Sequence, residues 1–335
     1  MKKTAAFIFL LLLIAGTVWI VRFRGTSQLR TAQGGIFGTT YHVKYESPQP
    51  LDAEILAELQ RVDASLSVFN PQSVISQIND GWRERVDAML YEVLQKARQV
   101  SEATGGAFDI TVMPLVNAWG FGFKHGKLPV PDREVDSLRA LVGYRRLELT
   151  SDSVLHKEDA RISIDCGAIA KGYGVDRVAR LLRDRGVRNF MVEIGGEVVT
   201  KGRNPQTARP WQIGVSRPDE TRQGEGEVQT VLSLENAALA TSGNYHNFYI
   251  RDGRKYAHTI DPRTGRPVQH SLLSATVMAH DCATADAYAT AFMVLGLDSA
   301  MQVVKGTKGL KAYFIYADGQ GRLKTASHRL EAIYN

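Results

Sequence analysis

The sequence predicts an α+β fold, a mixed, largely antiparallel sheet with packed helices, preceded by one N-terminal membrane-directing helix; it is not a Rossmann fold. Three observations carry this. Strand and helix signals are interspersed without strict alternation, which argues against a doubly wound parallel sheet. The Gly-Gly pairs at Gly34-Gly35, Gly105-Gly106 and Gly195-Gly196 belong neither to a G-x-G-x-x-G turn nor to a G-x-x-x-x-G-K-[ST] loop, so a bound dinucleotide would not be held in the usual manner. No repeat, low-complexity tract or long Pro/Ser-rich linker divides residues 26–335, which points to a single domain.

Residues 1–25 form the signal or anchor segment. Met1-Lys-Lys-Thr4 precedes an uncharged run from Ala5 to Val21, followed by Arg22 and Arg24. As a helix the run would span roughly 25 Å, the short end of what crosses a bilayer and slightly long for a signal-peptide core. An uncleaved anchor fits best; Gly25-Thr-Ser27 leaves a cleaved signal open. Positive charges flank both ends and fix orientation only weakly. Export of the remainder is the expectation for a lone N-terminal segment, which puts the chain at the inner membrane with residues 26–335 on the periplasmic side.

Thr40 to Tyr45 alternates as a strand, and Asp52 to Leu66 is helical, with Ile55, Leu56, Leu59 and Val62 at helical spacing and Asp52 as N-cap. A helix from Tyr91 to Thr104 should stop at Gly105-Gly106. Gly172 to Arg185 carries one apolar stripe (Val175, Val178, Ala179, Leu181, Leu182) and should end at Gly186, before the strand Asn189 to Ile194. Further strands are predicted at Trp211–Val215, Thr230–Leu234, Ala237–Thr241, Asn247–Ile250, Ser274–Met278 and Lys311–Tyr316.

Composition is that of an ordinary soluble enzyme. The formal charge of +6 is mild, includes residues beside the anchor, and gives no case for nucleic acid. An anionic substrate would suffice to explain it. Two cysteines, Cys166 and Cys282, could pair in an exported protein or remain buried thiols.

The most informative stretch is Ala283 to Leu295, an apolar helix interrupted by Asp286 and Thr290. Positions i and i+4 share a helix face, so a carboxylate and a hydroxyl converge there, at what should be a pocket rim. Two hard oxygens with no His or Cys at ligand spacing suit magnesium better than zinc. The alternative is a solvated face or a carboxylate in the first turn. His258 opens a Pro/Gly-rich turn leading back to that helix and is the candidate for proton transfer; a structural or solvated histidine is the alternative. Asp261, within the turn, should satisfy its own backbone. Asp165 to Gly172 reads as a strand end running through small residues into a helix, either a place where backbone approaches an anion or an ordinary connection. Ala107, Phe108 and Asp109 follow a double glycine that would admit a ligand closely. They offer a ring face and an acceptor, or else a core phenylalanine and a capping aspartate.

Five segments together resemble the flavin transferase family often called ApbE: Ile36 to Tyr41; Asp63 to Asn70; Thr104 to Pro114 with Trp119-Gly120; Ile164 to Tyr173; and His258 to Thr290. The resemblance covers nearly all of residues 26–335. It implies magnesium-dependent transfer of FMN from FAD to a Thr or Ser hydroxyl of an exported acceptor protein carrying a Thr-containing motif, with release of AMP. It implies that Phe37, Ser67, Val68, Phe69, Ala107, Phe108, Asp109, Asp165, Lys171 and Ile260 line the FAD site. By the same resemblance the carbonyl of Ala168 joins Asp286 and Thr290 as a metal ligand, and His258 is catalytic. Four positions depart from the family pattern: Val68 and Phe69 lack two hydroxyls, Phe37 stands where Met is common, and Ala289 stands where some members have a carboxylate. Two further activities stay open: an FAD pyrophosphatase in which water replaces the acceptor, and a flavin-binding protein without catalysis.

Overall fold

A computed structural model describes residues 27–122, 130–218, 227–244, 248–251 and 254–330, together with Leu13 and Gly16. The predicted anchor, residues 1–25, lies outside the described residues apart from those two. Among the described residues no helix is long and apolar enough to cross a membrane.

The chain begins with a hairpin, β1 (Gln28–Ile36) and β2 (Thr39–Ser47), followed by helices α1 (Asp52–Leu66), α2 (Val74–Asn79), α3 (Ala88–Ala103), α4 (Met113–Ala118) and α5 (Asp132–Arg139). After the short hairpin β3 (Leu147–Leu149) and β4 (Leu155–Lys157) comes α6 (Ala170–Asp184). Next are β5 (Phe190–Ile194), β6 (Glu197–Lys201), β7 (Trp211–Ser216), β8 (Val228–Leu234), β9 (Ala238–Gly243), β10 (Phe248–Arg251) and β11 (Arg254–Ala257). The chain closes with β12 (Ile260–Asp261), β13 (Arg266–Pro267), β14 (Leu272–Ala279), α7 (Cys282–Leu295), α8 (Leu297–Gly306), β15 (Lys311–Ala317) and β16 (Leu323–His328).

Eight strands form the main sheet in the order β1-β2-β5-β6-β9-β14-β15-β16. Every pairing in it is antiparallel. The mixed α+β architecture and antiparallel sheet read from the sequence are therefore present, with β1, β6 and β16 added. Gln28–Ile36 escaped notice because its alternation is weak and ends in Gly34-Gly35. The predicted strands Trp211–Val215 and Thr230–Leu234 pair with each other as β7 and β8, outside the main sheet. Of the predicted strand Asn247–Ile250, Asn247 lies outside the described residues and the rest falls in β10.

Period-2 alternation assigns the two faces. Ala240, Val277, Ala312 and Phe314 belong to the core beneath α7 and α3, whereas their neighbours Leu239, Tyr313 and Ile315 pack against Val215, Leu232 and Leu234 of the β7–β8 hairpin. On β2, Tyr41, Val43 and Tyr45 face α1 and α6. Between them His42 points to water, with Glu193 of β5 opposite at 2.9 Å.

Helix ends show which local rules held. Gly186 (φ 74) stops α6 as expected, and Val187 N–H donates to the Leu182 carbonyl at 2.9 Å, the terminal bond of a Schellman turn. Gly105 and Gly106, both at positive φ, stop α3 likewise. Asp52, however, is not the N-cap of α1. The helix starts at Asp52, the cap is Leu51, and no side chain caps it. The Tyr45 hydroxyl takes the N–H of Leu51 at 2.8 Å and donates to Asp52 at 2.9 Å, so a residue of β2 holds the helix start. The cysteines are free and buried, which removes the disulfide alternative. Cys166 lies in the core beneath α7, and Cys282 belongs to the neighbouring core around β5.

Carboxylates hold the start of α7. Asp281 accepts from Thr284 N–H at 2.8 Å, and Asp176 of α6 accepts from the N–H groups of Cys282 and Ala283, each at 2.9 Å. Burial, and then neighbouring Asp281, push the Asp176 carboxyl up from 3.8 to about 7. The folded protein thus holds that proton more tightly than the unfolded chain. The resulting stability is fully present below about pH 4 and is lost as pH rises toward 7. Asp176→Asn removes this titration. We expect the melting temperature of the parent to fall relative to that of the variant between pH 4 and 7; parallel curves would show that Asp176 does not titrate in that window.

Candidate active site

Three elements meet at the centre of the site: the entry to α6, the first turns of α7 and the β5–β6 turn. Gly172 is the contact point. A Cβ there would lie 2.4 Å from the Cys282 carbonyl oxygen, so only glycine lets α6 pass this close to α7. The small residue read from the sequence as room for a ligand at this position is room for a neighbouring helix. The approach has a chemical consequence. Gly172 N–H donates to Asp286 Oδ2 at 3.0 Å, and α6 begins only at Ala170, so the Ala168 carbonyl stays out of the helix ladder.

Asp286 is 2% exposed, deeper than the rim position its sequence context suggested. The solvated-face alternative fails with it, because α7 is buried from Cys282 to Ala289, and its cap is Asp281. Thr290, one turn on, is half-buried, with its Oγ1 3.4 Å from the Ser242 hydroxyl of β9. Lys171 Nζ lies 2.9 Å from Glu197 Oε2 and 3.8 Å from Asp286 Oδ1. Burial works against the Lys171 charge, but Asp286 first and then Glu197 hold its pKa above the usual lysine value. Glu197 is pushed up, by burial first and then by Asp286. Two buried carboxylates share one ammonium. With the Ala168 carbonyl outside the helix ladder and Thr290 lining the same cavity, this all-oxygen donor set would fit a hard divalent cation.

Around this cluster lie two cavities. One, of about 400 Å³, is lined by Ala107, Phe108, Asp109, Asp165, Ala168, Lys171, His258, Ile260, Asp286 and Thr290 among others. The other, of about 450 Å³, is lined by Phe37, Ser67, Val68, Phe69, Asp165 and Lys171 among others. They share Asp165, Gly167 and Lys171, so together they make a two-chambered cleft with these residues at the junction. Every residue that the resemblance assigned to the FAD site, the metal or catalysis lines one chamber or the other.

Local geometry explains the placement of each wall. Phe37 sits at the β1–β2 turn with φ 52, and its ring lies over Gly174 of α6, where a Cβ would come within 2.7 Å of it. Phe69 is 76% exposed at the mouth of the second chamber. Asp165 accepts from Gly167 N–H at 2.8 Å in an Asx turn, and burial raises its pKa. Asn79 clamps the preceding residue, exchanging two 2.8 Å hydrogen bonds with the Ile164 backbone. Asp109 spends both oxygens internally: Oδ1 takes the N–H and hydroxyl of Thr111 (2.8 and 2.6 Å), and Oδ2 takes Tyr144 N–H at 2.7 Å. Its carboxylate therefore shapes the wall instead of offering a spare acceptor. Gly105 and Gly106 form a turn and do not line either chamber. His258 is half-buried, follows β11, and stands edge-on to Phe121 with ring centroids 6.4 Å apart. Ile260 beside it is buried. Asp261 binds its own turn, accepting from Arg263 N–H at 2.9 Å, as expected.

The sequence reading passed over Glu197, Ser242 and Asn79. Glu197 had a signal, since it directly follows the Gly195-Gly196 pair. That pair forms no nucleotide-binding loop; Gly195 and Gly196, at φ 58 and 100, make the tight β5–β6 turn that points Glu197 inward.

The model of the ApbE family matches residues 37–314. The chain belongs to the ApbE family. Among its relatives, the FAD:protein FMN transferase of Haemophilus influenzae is 37% identical over 310 residues, covering 88% of each chain. That of Escherichia coli is 32% identical over 313 residues, 91% of this chain and 82% of the relative. Among solved structures, the flavin transferase ApbE from Vibrio cholerae superposes with a TM-score of 0.79 at 34% identity, covering 90% of this chain and 98% of that one. The apo flavinyl transferase ApbE of Pseudomonas stutzeri gives 0.81 at 33% identity, covering 90% and 95%. In this ApbE chain the α6–α7 contact is the most restrictive packing in the site. Gly172→Ala should lower stability by about 2 kcal/mol, since the methyl meets backbone that cannot move aside without displacing a helix. Urea unfolding checks this, and an unchanged midpoint would show that the helices pass more loosely.

Proposed function

We propose that this chain transfers the FMN half of FAD to a Thr or Ser hydroxyl of an acceptor protein and releases AMP. Membership of the ApbE family and the names of its relatives support the activity. The observation that carries it is the two-chambered cleft, whose junction holds Lys171 and whose first chamber holds His258, Asp286 and Thr290. A dinucleotide has that shape: two ring systems joined through a charged pyrophosphate.

The step has simple bookkeeping. The acceptor oxygen bonds to the FMN-side phosphorus, the phosphorus–oxygen bond to the AMP phosphate breaks, and AMP leaves with that electron pair. The hydroxyl proton passes to His258, whose imidazole is the side-chain type suited to general-base work. Lys171 sets a point charge beside the pyrophosphate, and the chamber walls fix the two halves so that attack is nearly unimolecular. The Ala168 carbonyl, Asp286 and Thr290 would hold a magnesium ion, which would supply Lewis-acid neutralisation of charge developing on the phosphate oxygens. Aromatic and aliphatic groups, Phe37, Val68 and Phe69 on one side and Phe108 and Ile260 on the other, cover the rings. Loss of two hydroxyls at Val68-Phe69 leaves contact there to ring and backbone. With Ala289 where some members carry a carboxylate, a backbone oxygen or water would fill that place at the metal.

The membrane reading belongs to the same proposal. The uncharged run Ala5–Val21 between Lys2-Lys3 and Arg22 would anchor the chain at the inner membrane and set the catalytic residues on the periplasmic side, where an exported acceptor would meet them.

Incubating the protein with FAD, Mg²⁺ and a Thr-containing acceptor peptide should give a covalent FMN adduct by mass spectrometry. Free FMN and AMP without adduct would point to hydrolysis, and intact FAD to binding alone. His258→Ala should retain FAD binding and slow transfer about 10²-fold or more; lost binding with an unchanged residual rate would remove it from proton transfer. The full chain expressed in a Gram-negative host should sediment with inner membranes and be cleaved by protease added to spheroplasts, whereas protection there would place it on the other side.

A further inference from the structure

Asp286 has two oxygens with different employment. Oδ2 accepts the N–H of Gly172 at 3.0 Å. Oδ1 faces the Lys171 ammonium at 3.8 Å, too far for a hydrogen bond and close enough for strong attraction in a buried setting. The lysine does not close that gap, because Glu197 Oε2 holds it from the other side at 2.9 Å. Among the described residues, Asp286 and Glu197 are the two carboxylates within 4 Å of the ammonium.

Glu197 is built to stay where it is. It is 1% exposed and opens β6, paired in register with Ile194 across the two-residue Gly195-Gly196 turn. That turn also confines the lysine stem: a Cβ on Gly195 would lie 3.4 Å from Lys171 Cδ. Glu197 Oε2 has no hydrogen bond of regular geometry, so the ion pair with Lys171 is its main compensation for burial.

We propose that Glu197 is a positioning residue that draws the Lys171 ammonium off Asp286 and so leaves Asp286 Oδ1 open to a divalent cation. The inference rests on the metal reading given above. An ammonium and a metal ion compete for the same carboxylate oxygen. Without the Glu197 charge, the nearest anionic partner of Lys171 is Asp286, and the lysine becomes an internal competitor. The residue acts through Lys171 and touches neither the reacting phosphorus nor the acceptor.

Calorimetric titration of the FAD-free protein with Mg²⁺ tests this without recourse to activity. Glu197→Gln, close to isosteric and neutral, should weaken Mg²⁺ binding about tenfold, the usual scale for losing a group that supports a metal ligand. The double variant Lys171→Met with Glu197→Gln should regain at least the parental affinity, because the competitor has gone. A purely structural role for Glu197 would leave the double variant as weak as the single one, and that result overturns the inference. Lys171→Met alone should bind Mg²⁺ at least as well as the parent, which keeps the test decisive if Glu197→Gln does not fold; weaker binding by it would also overturn the inference. Asp286→Asn separates the two levels. If it abolishes Mg²⁺ binding while Glu197→Gln binds as the parent does, the positioning role falls alone. If the parent binds no Mg²⁺, or Asp286→Asn binds normally, the metal reading falls and takes the inference with it.

Discussion

The close passage of α6 over α7 at Gly172 is the constraint on which the site depends. It diverts one backbone N–H from the helix ladder to Asp286, and this single hydrogen bond does two things at once. It orients a buried carboxylate from one helix, and it leaves the Ala168 carbonyl of the other without its helical partner. A side chain at position 172 would force the helices apart, so steric fit and donor geometry cannot be varied independently here.

The sheet supplies the rest of the frame. Its antiparallel order places β6 and β9 side by side beneath these helices, so Glu197 and Ser242 reach the helical residues from below. The second chamber is made differently, from the β1–β2 turn and the end of α1, and it joins the first only at Asp165, Gly167 and Lys171. A cleft with two lobes and a charged waist follows from this division of labour. Rigid hydrogen bonds from Asn79, Thr111 and Asp109 hold the walls, which is why several polar residues in the site contact protein and not solvent.

Charge is distributed unevenly within this frame. The acidic groups at the start of α7 are spent on capping: Asp176 and Asp281 take the exposed N–H groups of its first turn. The start of α7 is therefore already neutralised by protein. One turn further on, Asp286 faces, together with Glu197 of β6, a single ammonium.

Patterns repeating every two or four residues were legible in the chain itself. Spacing in Ala283–Leu295 announced a helix with Asp286 and Thr290 on one face, and glycine stops at Gly105 and Gly186 marked helix ends, because these depend on local backbone geometry. Resemblance to a family located the remaining residues, all of which line the cleft. What local pattern could not reveal depends on contacts between distant segments. Tyr45, from β2, and not Asp52, accepts the Leu51 N–H at the start of α1; Gly172 serves a helix crossing and not a ligand; Asp286 is buried in a helix covered from Cys282 to Ala289; and Glu197 reaches from β6 to Lys171 of α6. In each case the partner lies outside the window over which backbone periodicity acts. Only tertiary packing decides which polar group meets which, and with it which oxygens remain free to do chemistry.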